Sequence, residues 1–218
     1  MTDPADLRRS YGRATLSEQT IAATWLEQLL AWYTESVELA GSPEPNAMQV
    51  ASVDDAGRPS LRTVLAKAID ERGVTFYTNY DSQKGRELAA HPYAAAQFLW
   101  LAHERQVRLT GAVRKVSADE TAAYFHSRPR GSQLGAWASP QSQVIASRAV
   151  LEQAYTETEA RYGDGEIPVP EHWGGFLLTP DTVEFWQGRS GRLHDRLRYR
   201  RMTGEQGKDA WTVERLAP

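Results

Sequence analysis

Apolar residues change their spacing along this chain, and the changes mark its elements. Ile21, Trp25, Leu29 and Trp32 recur at helical spacing, and Leu26, Leu30, Tyr33 and Val37 widen the stripe. Leu16-Ser17 precedes it, so the pattern predicts a helix with Ser17 as N-cap and Leu16 stapled against Ile21. Gly41 ends that helix, and Pro43 and Pro45 prevent its resumption. From Met48 the period becomes two. Met48 to Val53, Ser60 to Ile69 and Val74 to Thr78 read as strands separated by turns at Asp54–Gly57 and Asp70–Gly73. Ala94 to Leu101, Arg105 to Val116, Phe176 to Thr179, Thr182 to Trp186, Leu193 to Tyr199 and Trp211 to Leu216 follow. A meander is the simplest topology, and this many antiparallel strands with short turns favour closure into a barrel, which removes exposed edges. Helices fill the connections at 82–90, 118–127 and 147–162. The expected fold is mainly β with peripheral helices, with residues 1–16 a mobile N-terminal segment and 17–218 a single domain.

Composition narrows the function. A length of 218 residues with 41% hydrophobic content is enough to bury a core. A formal net charge of −3 argues against general nucleic-acid binding, so any anion site must be local. The absence of cysteine removes disulfides, thiolate nucleophiles and cysteine-based metal centres. With no apolar run of about 18 residues and no signal-peptide pattern, a cytoplasmic protein without membrane contact is the default. His172 has no second histidine or carboxylate at metal-ligand spacing, so it reads as structural and no metal site is expected.

Several stretches carry candidate chemistry. Gly188 and Gly191 mark a tight connection between two strands, and period-two alternation would put Arg192, His194 and Arg196 on one face. Two fixed cations flanking a titratable imidazole suit an anion that exchanges protons near neutral pH, although alternating charges on a strand are more often its solvated face. Arg62 and Lys67 sit five apart and would face opposite ways, so one strand could serve two anions; solvated strand ends are the blander alternative. Ser82 caps a helix whose N-terminal amides, with Lys84 nearby, favour phosphate, as many ligand-free helix starts also do. Ser117-Ala-Asp-Glu120 forms a capping box. The helix it opens places Tyr124 and Arg128 four apart on one face, with Pro129 forcing an exit and Ser132 in the turn beyond. Guanidinium fork, phenol and hydroxyl can all donate to a phosphate.

Taken together and in order, these motifs resemble the pyridoxine (pyridoxamine) 5′-phosphate oxidases, and the similarity runs from Arg8 almost to the C-terminus. The resemblance implies an FMN-binding antiparallel split β-barrel, a homodimer with shared active sites, and oxidation of pyridoxamine or pyridoxine 5′-phosphate to pyridoxal 5′-phosphate. In that reaction a hydride passes from C4′ to FMN N5 and dioxygen is reduced to hydrogen peroxide. It further implies that Arg62, Thr63, Val64, Leu65, Lys67, Tyr77, Thr78, Gln83, Lys84, Gln106, Gln141, Ser142, Trp186 and Arg196 contact FMN, with Gln141-Ser142 reaching it from the other subunit. Lys67, Tyr124, Arg128 and Ser132 would bind the substrate phosphate, and Arg192 and His194 would act at the pyridine ring and its reacting arm. Arg8 and Tyr11 would belong to a segment closing over substrate. One departure stands out. Gln83 occupies a place where an arginine is expected. Two other classes remain open: a reductase of another small molecule using FMN or a deazaflavin, and a non-catalytic flavin or pyridoxal-phosphate carrier.

Overall fold

The computed structural model describes residues 3, 7, 10–39, 44–203 and 209–218; Arg8 lies outside them. Among the described residues, nine strands form one antiparallel sheet that curls into a split barrel. Its order is β2 (Pro59–Leu65), β1 (Ala47–Val53), β5 (Tyr93–Trp100), β6 (Arg105–Lys115), β7 (Trp173–Gln187), β4 (Gly73–Asn79) and β3 (Ala68–Asp70). β8 (Asp195–Thr203) pairs with β7, and β9 (Asp209–Arg215) pairs with β8.

This is not the expected meander, because β1 also pairs with β5 and β4 pairs with β7. The run expected as one strand from Ser60 to Ile69 breaks after Leu65. There the Ala66 N–H bonds the Asn46 carbonyl and the Lys67 N–H bonds that of Thr75, so the chain crosses from the β1 edge to the β4 edge. Conversely, Phe176–Thr179 and Thr182–Trp186 belong to a single strand, β7, whose register against β6 shifts between Thr110 and Gly111. Gly111 is required at that irregularity, since a Cβ there would lie 2.0 Å from the Thr179 carbonyl oxygen.

Period-two alternation puts Met48, Val50, Phe98, Val107, Leu109, Phe185 and Leu197 in the core. Helix α1 (Trp25–Glu38) covers them with Trp25, Leu29 and Trp32, and each fully buried side chain of this kind contributes roughly 1.5–3 kcal/mol. The helix starts seven residues later than expected. Thr24 and Glu27 form a reciprocal capping box that satisfies two backbone donors, whereas Ser17 is used in a turn bonded to Thr20 and Ile21. Leu16 is nonetheless buried in the core.

The opposite face of the sheet is polar. Thr63, Gln49, Gln97, Arg108, Glu184, Arg198 and Glu214 are register partners in one row running from β2 to β9. Beside the sheet lie α2 (Gln83–Ala90), α3 (Ala118–Ser127), α4 (Arg130–Ala138) and α5 (Arg148–Tyr162). Helix α4 was not anticipated: Pro129 ends α3 but its φ of −52° also suits a helix entrance, so a second helix starts at once. Phe125, Leu134, Ile167 and Trp173 form a smaller core beneath these helices. Among the described residues, no helix is long and apolar enough to cross a membrane.

Candidate functional site

A cavity of about 660 Å³ opens between β2, β4 and the helices α2, α3 and α4. Its size falls within the roughly 300–1,000 Å³ of small-molecule sites. Strand β2 supplies Arg62, Thr63, Val64 and Leu65, and Lys67 follows just past the strand end. Strand β4 supplies Tyr77 and Thr78, α2 supplies Lys84, and Tyr124, Arg128 and Ser132 come from around α3 and α4. The strand break after Leu65 brings Arg62 and Lys67 to the same cavity, not to the opposite faces that an unbroken strand would give.

Each cation is held differently. The Arg62 guanidinium spends its terminal N–H groups on protein: Nη1 donates to the Val50 carbonyl and Ser52 Oγ, and Nη2 to Ser60 Oγ and Glu87 Oε2 at 3.3 Å. Glu87 is buried and accepts from Ser52 (2.5 Å), Ser60 (2.6 Å) and Gln83 Nε2 (2.8 Å). Burial alone would raise its carboxyl, but those bonds and the charge of Arg62 outweigh burial and hold it at about 2. Lys84, 8% exposed, donates to Thr78 Oγ1 at 3.1 Å and Gln141 Oε1 at 3.0 Å. Burial pushes its ammonium down to about 8, with the Arg62 cation adding to the effect and Glu87 opposing it.

Tyr77, Tyr124 and Trp173 stack along one wall, the two tyrosine rings 4.0 Å apart. Arg128 caps α3 in extended backbone instead of continuing the helix, and its guanidinium lies 4.6 Å from the Trp173 ring. Its Nη1 is buried with no partner among the described residues. A buried, unpaired guanidinium nitrogen beside Lys67, Lys84 and the Tyr124 phenol fits a phosphate-bearing ligand, which would supply the missing acceptor.

Other expected residues lie elsewhere. Gln83 is bonded to Glu87 and does not line this cavity, while Gln141 does so within its own chain, where the resemblance implied the other subunit. Ser142 is outside it, in backbone with φ of 69°. Gln106, Trp186 and Arg196 form a row across β6, β7 and β8 on the polar sheet face, away from the cavity lining. Arg196 donates to Glu184 at 2.8 Å and to the Ala217 carbonyl. The expected alternation of Arg192, His194 and Arg196 on one strand is incorrect. Gly191 and Arg192 both adopt φ of 63°, which breaks the extended chain, and β8 begins only at Asp195. His194 still reaches the row, its ring 4.6 Å from that of Trp186. The Arg189 N–H donates to His194 Nδ1 at 3.0 Å, so the neutral imidazole carries its proton on Nε2. Tyr11 packs against both rings.

Two features escaped sequence reasoning. Trp173 lines the cavity although no motif points to it; His172, expected to be structural, bonds the Ala136 carbonyl. Glu87 carried no motif, and only the hydrogen bonds it accepts from Ser52 and Ser60 reveal its purpose.

A curled antiparallel sheet with a cationic, aromatic-walled cavity defines a split-barrel protein whose cavity chemistry suits an anionic small molecule. Comparison with known proteins extends this. Residues 34–162 match the family model for pyridoxamine 5′-phosphate oxidase, and residues 173–218 match that for the pyridoxine 5′-phosphate oxidase C-terminal dimerisation region. The pyridoxine/pyridoxamine 5′-phosphate oxidase of Salinibacter ruber is 53% identical over the full length of both chains. That of Bordetella avium is 55% identical over 98% of this chain and 99% of its own. Among solved structures, PhzG from Burkholderia lata, in complex with tetrahydrophenazine-1-carboxylic acid, superposes with a TM-score of 0.79 at 31% identity, covering 88% of this chain and 92% of its own. A related FMN-binding protein from Nostoc punctiforme, 20% identical with a TM-score of 0.68 over 90% of this chain and 98% of its own, shares the fold. The chain belongs to the pyridoxamine 5′-phosphate oxidase family. It is an oxidoreductase of that type with a dimerisation region at its C-terminus.

Proposed function

We propose that this protein oxidises pyridoxamine 5′-phosphate and pyridoxine 5′-phosphate to pyridoxal 5′-phosphate, using FMN and dioxygen, as a step of vitamin B6 metabolism. The observation that carries the reading is Arg128, whose buried, unpaired Nη1 sits beside Tyr124, Ser132 and Lys67 in one cavity. These four groups bind the substrate phosphate. Bidentate guanidinium, phenol, hydroxyl and ammonium donors together fix its orientation as well as its charge.

The β2 backbone and side chains, Tyr77, Thr78, Lys84 and Gln141 hold FMN on the other side of the same cavity. When bound, FMN supplies a two-electron acceptor for the hydride leaving C4′, with dioxygen as the final acceptor and hydrogen peroxide as its product. Gln106, Trp186 and Arg196 contact FMN, and Arg192 and His194 cover the substrate ring. Because this second group lies away from the cavity of its own chain, the site is completed by a second copy, giving a homodimer with shared active sites. Tyr11, and Arg8 beyond the described residues, close the substrate side. With Nδ1 occupied by the Arg189 N–H, His194 presents its Nε2–H as a donor to the reacting arm, which Arg192 orients. Gln83 serves Glu87 instead of the FMN phosphate.

The names of the 53–55% identical relatives support this reading. The test is reconstitution with FMN followed by assay of pyridoxal 5′-phosphate and peroxide in equal amounts. A protein that binds FMN but makes neither would be a carrier. A different substrate class becomes the better reading if phosphate-free substrates are turned over equally well.

A further inference from the structure

Glu104 adopts a left-handed backbone, φ 56° and ψ 38°, which is uncommon for a residue with a side chain and costs on the order of 1 kcal/mol. Nothing in the turn demands a glutamate there. The side chain shows what the conformation achieves. Glu104 Oε2 accepts from the Gly12 N–H at 2.9 Å and from the Arg13 N–H at 3.0 Å, and the Arg13 guanidinium donates to the adjacent Ala102 carbonyl at 2.8 Å. A second, independent feature converges on the same place. A Cβ on Gly188 would lie 2.8 Å from the Tyr11 ring and 3.0 Å from Glu104 Cβ, so strand β7 is followed by a glycine where Tyr11 and Glu104 pack on its backbone. The Gly188 N–H and the Gln187 amide both bond the Glu104 carbonyl, which fixes the residue from behind. The outcome is a set position for Tyr11, with its ring 5.9 Å from that of Trp186 and 6.0 Å from that of His194.

We propose that Glu104 is a positioning residue: it clamps the backbone at Gly12 and Arg13 so that Tyr11 stands against His194 and Trp186 on the substrate side of the active site. The function of the contact rests on the oxidase reading above, whereas the clamp does not. A carboxylate suits this role because one oxygen can accept two N–H donors at once, and charge-assisted bonds of this kind are the stronger class. Asp195 provides a second tether, accepting from the Leu16 N–H at 3.1 Å. The segment is therefore held at both ends, and Glu104 governs the end nearest Tyr11.

Glu104→Gly tests this without a folding penalty, because glycine prefers the left-handed backbone that glutamate occupies under strain. Glu104→Asn is the second variant, since asparagine tolerates the same conformation but is too short to reach both amides. Hydrogen exchange at Gly12 and Arg13 should quicken by about tenfold or more in either variant, with the melting temperature unchanged or raised. In the FMN-loaded enzyme, KM for pyridoxamine 5′-phosphate should rise about tenfold while kcat changes less than threefold, the pattern of lost binding that is common to ground and transition states. Unchanged exchange overturns the clamp. Faster exchange with unchanged KM overturns the positioning role. The exchange and melting measurements use protein without substrate, so absence of turnover in the unsubstituted enzyme would sink the oxidase reading and leave the clamp to be judged by exchange.

Discussion

Lys84 should make flavin binding depend on pH through the phosphate alone. Its ammonium is 8% exposed and its pKa is pushed from 10.5 to about 8, chiefly by burial. At about 1.36 kcal/mol per unit, carrying the charge costs the ligand-free protein about 3 kcal/mol. Because the folded value lies below the unfolded one, the penalty is fully present below pH 8. It is relieved between about pH 8 and 10.5, where only the unfolded chain still holds the proton, so stability rises with pH across that window. A phosphate dianion in the cavity reverses the balance by favouring the ammonium. FMN should therefore bind with proton uptake above pH 8, its affinity falling up to tenfold per pH unit there, whereas riboflavin, which lacks the phosphate, should not. Lys84→Met should remove both effects. The free protein should melt several degrees higher at pH 7, as Thr78 Oγ1 and Gln141 Oε1 still bond each other at 3.0 Å, while FMN loses its advantage over riboflavin. Flavin fluorescence titrations from pH 7 to 10 and thermal melts measure the two. An FMN-to-riboflavin affinity ratio that stays flat with pH, or a less stable methionine variant, would refute the reasoning.

Other perturbations have equally definite outcomes. Arg128→Lys keeps a charge but loses the fork, so KM for the phosphorylated substrate should rise roughly 10- to 100-fold in steady-state assays, an energy of about 1.5–3 kcal/mol, with little change for unphosphorylated pyridoxamine. Glu87, held at about 2, contributes stability that is complete above about pH 4.5 and lost as pH falls toward 2; in Glu87→Gln, acid titration of the unfolding free energy should flatten in that window. Gly111→Ala should cost about 3 kcal/mol or more in denaturant unfolding, because its Cβ would sit 2.0 Å from a carbonyl oxygen that the sheet holds in place.

How far the sequence foretells this molecule depends on the range of the interaction that decides each feature. Ser82 and the Ser117–Glu120 box mark the starts of α2 and α3 because capping is settled within four residues. Ser17 misled because Thr24 and Glu27 make the better cap seven residues on. Alternation located the strands, but it cannot say that β2 stops at Leu65 to cross the barrel, or that β1 seeks β5. Those choices are made by non-local pairing. At the site, the residues around Arg62, Tyr77 and Arg128 were legible as motifs and gather in one cavity. Glu87, Glu104 and Trp173 were not, since a buried carboxylate, a strained turn and a stacking ring each acquire meaning only from partners distant in sequence. The strand face assigned to Arg192, His194 and Arg196 failed for a local reason: a glycine signals a turn but not that the next residue shares its left-handed backbone.

The proposed function requires hydride transfer from a phosphorylated B6 vitamer to a bound flavin. The most direct measurement is anaerobic mixing of the FMN-loaded protein with pyridoxamine 5′-phosphate while following visible absorbance, then admission of oxygen. Bleaching on mixing, recovery with oxygen and one pyridoxal 5′-phosphate per flavin reduced are predicted. Flavin that stays oxidised under saturating substrate would contradict the account and leave a protein that binds these ligands without reacting them.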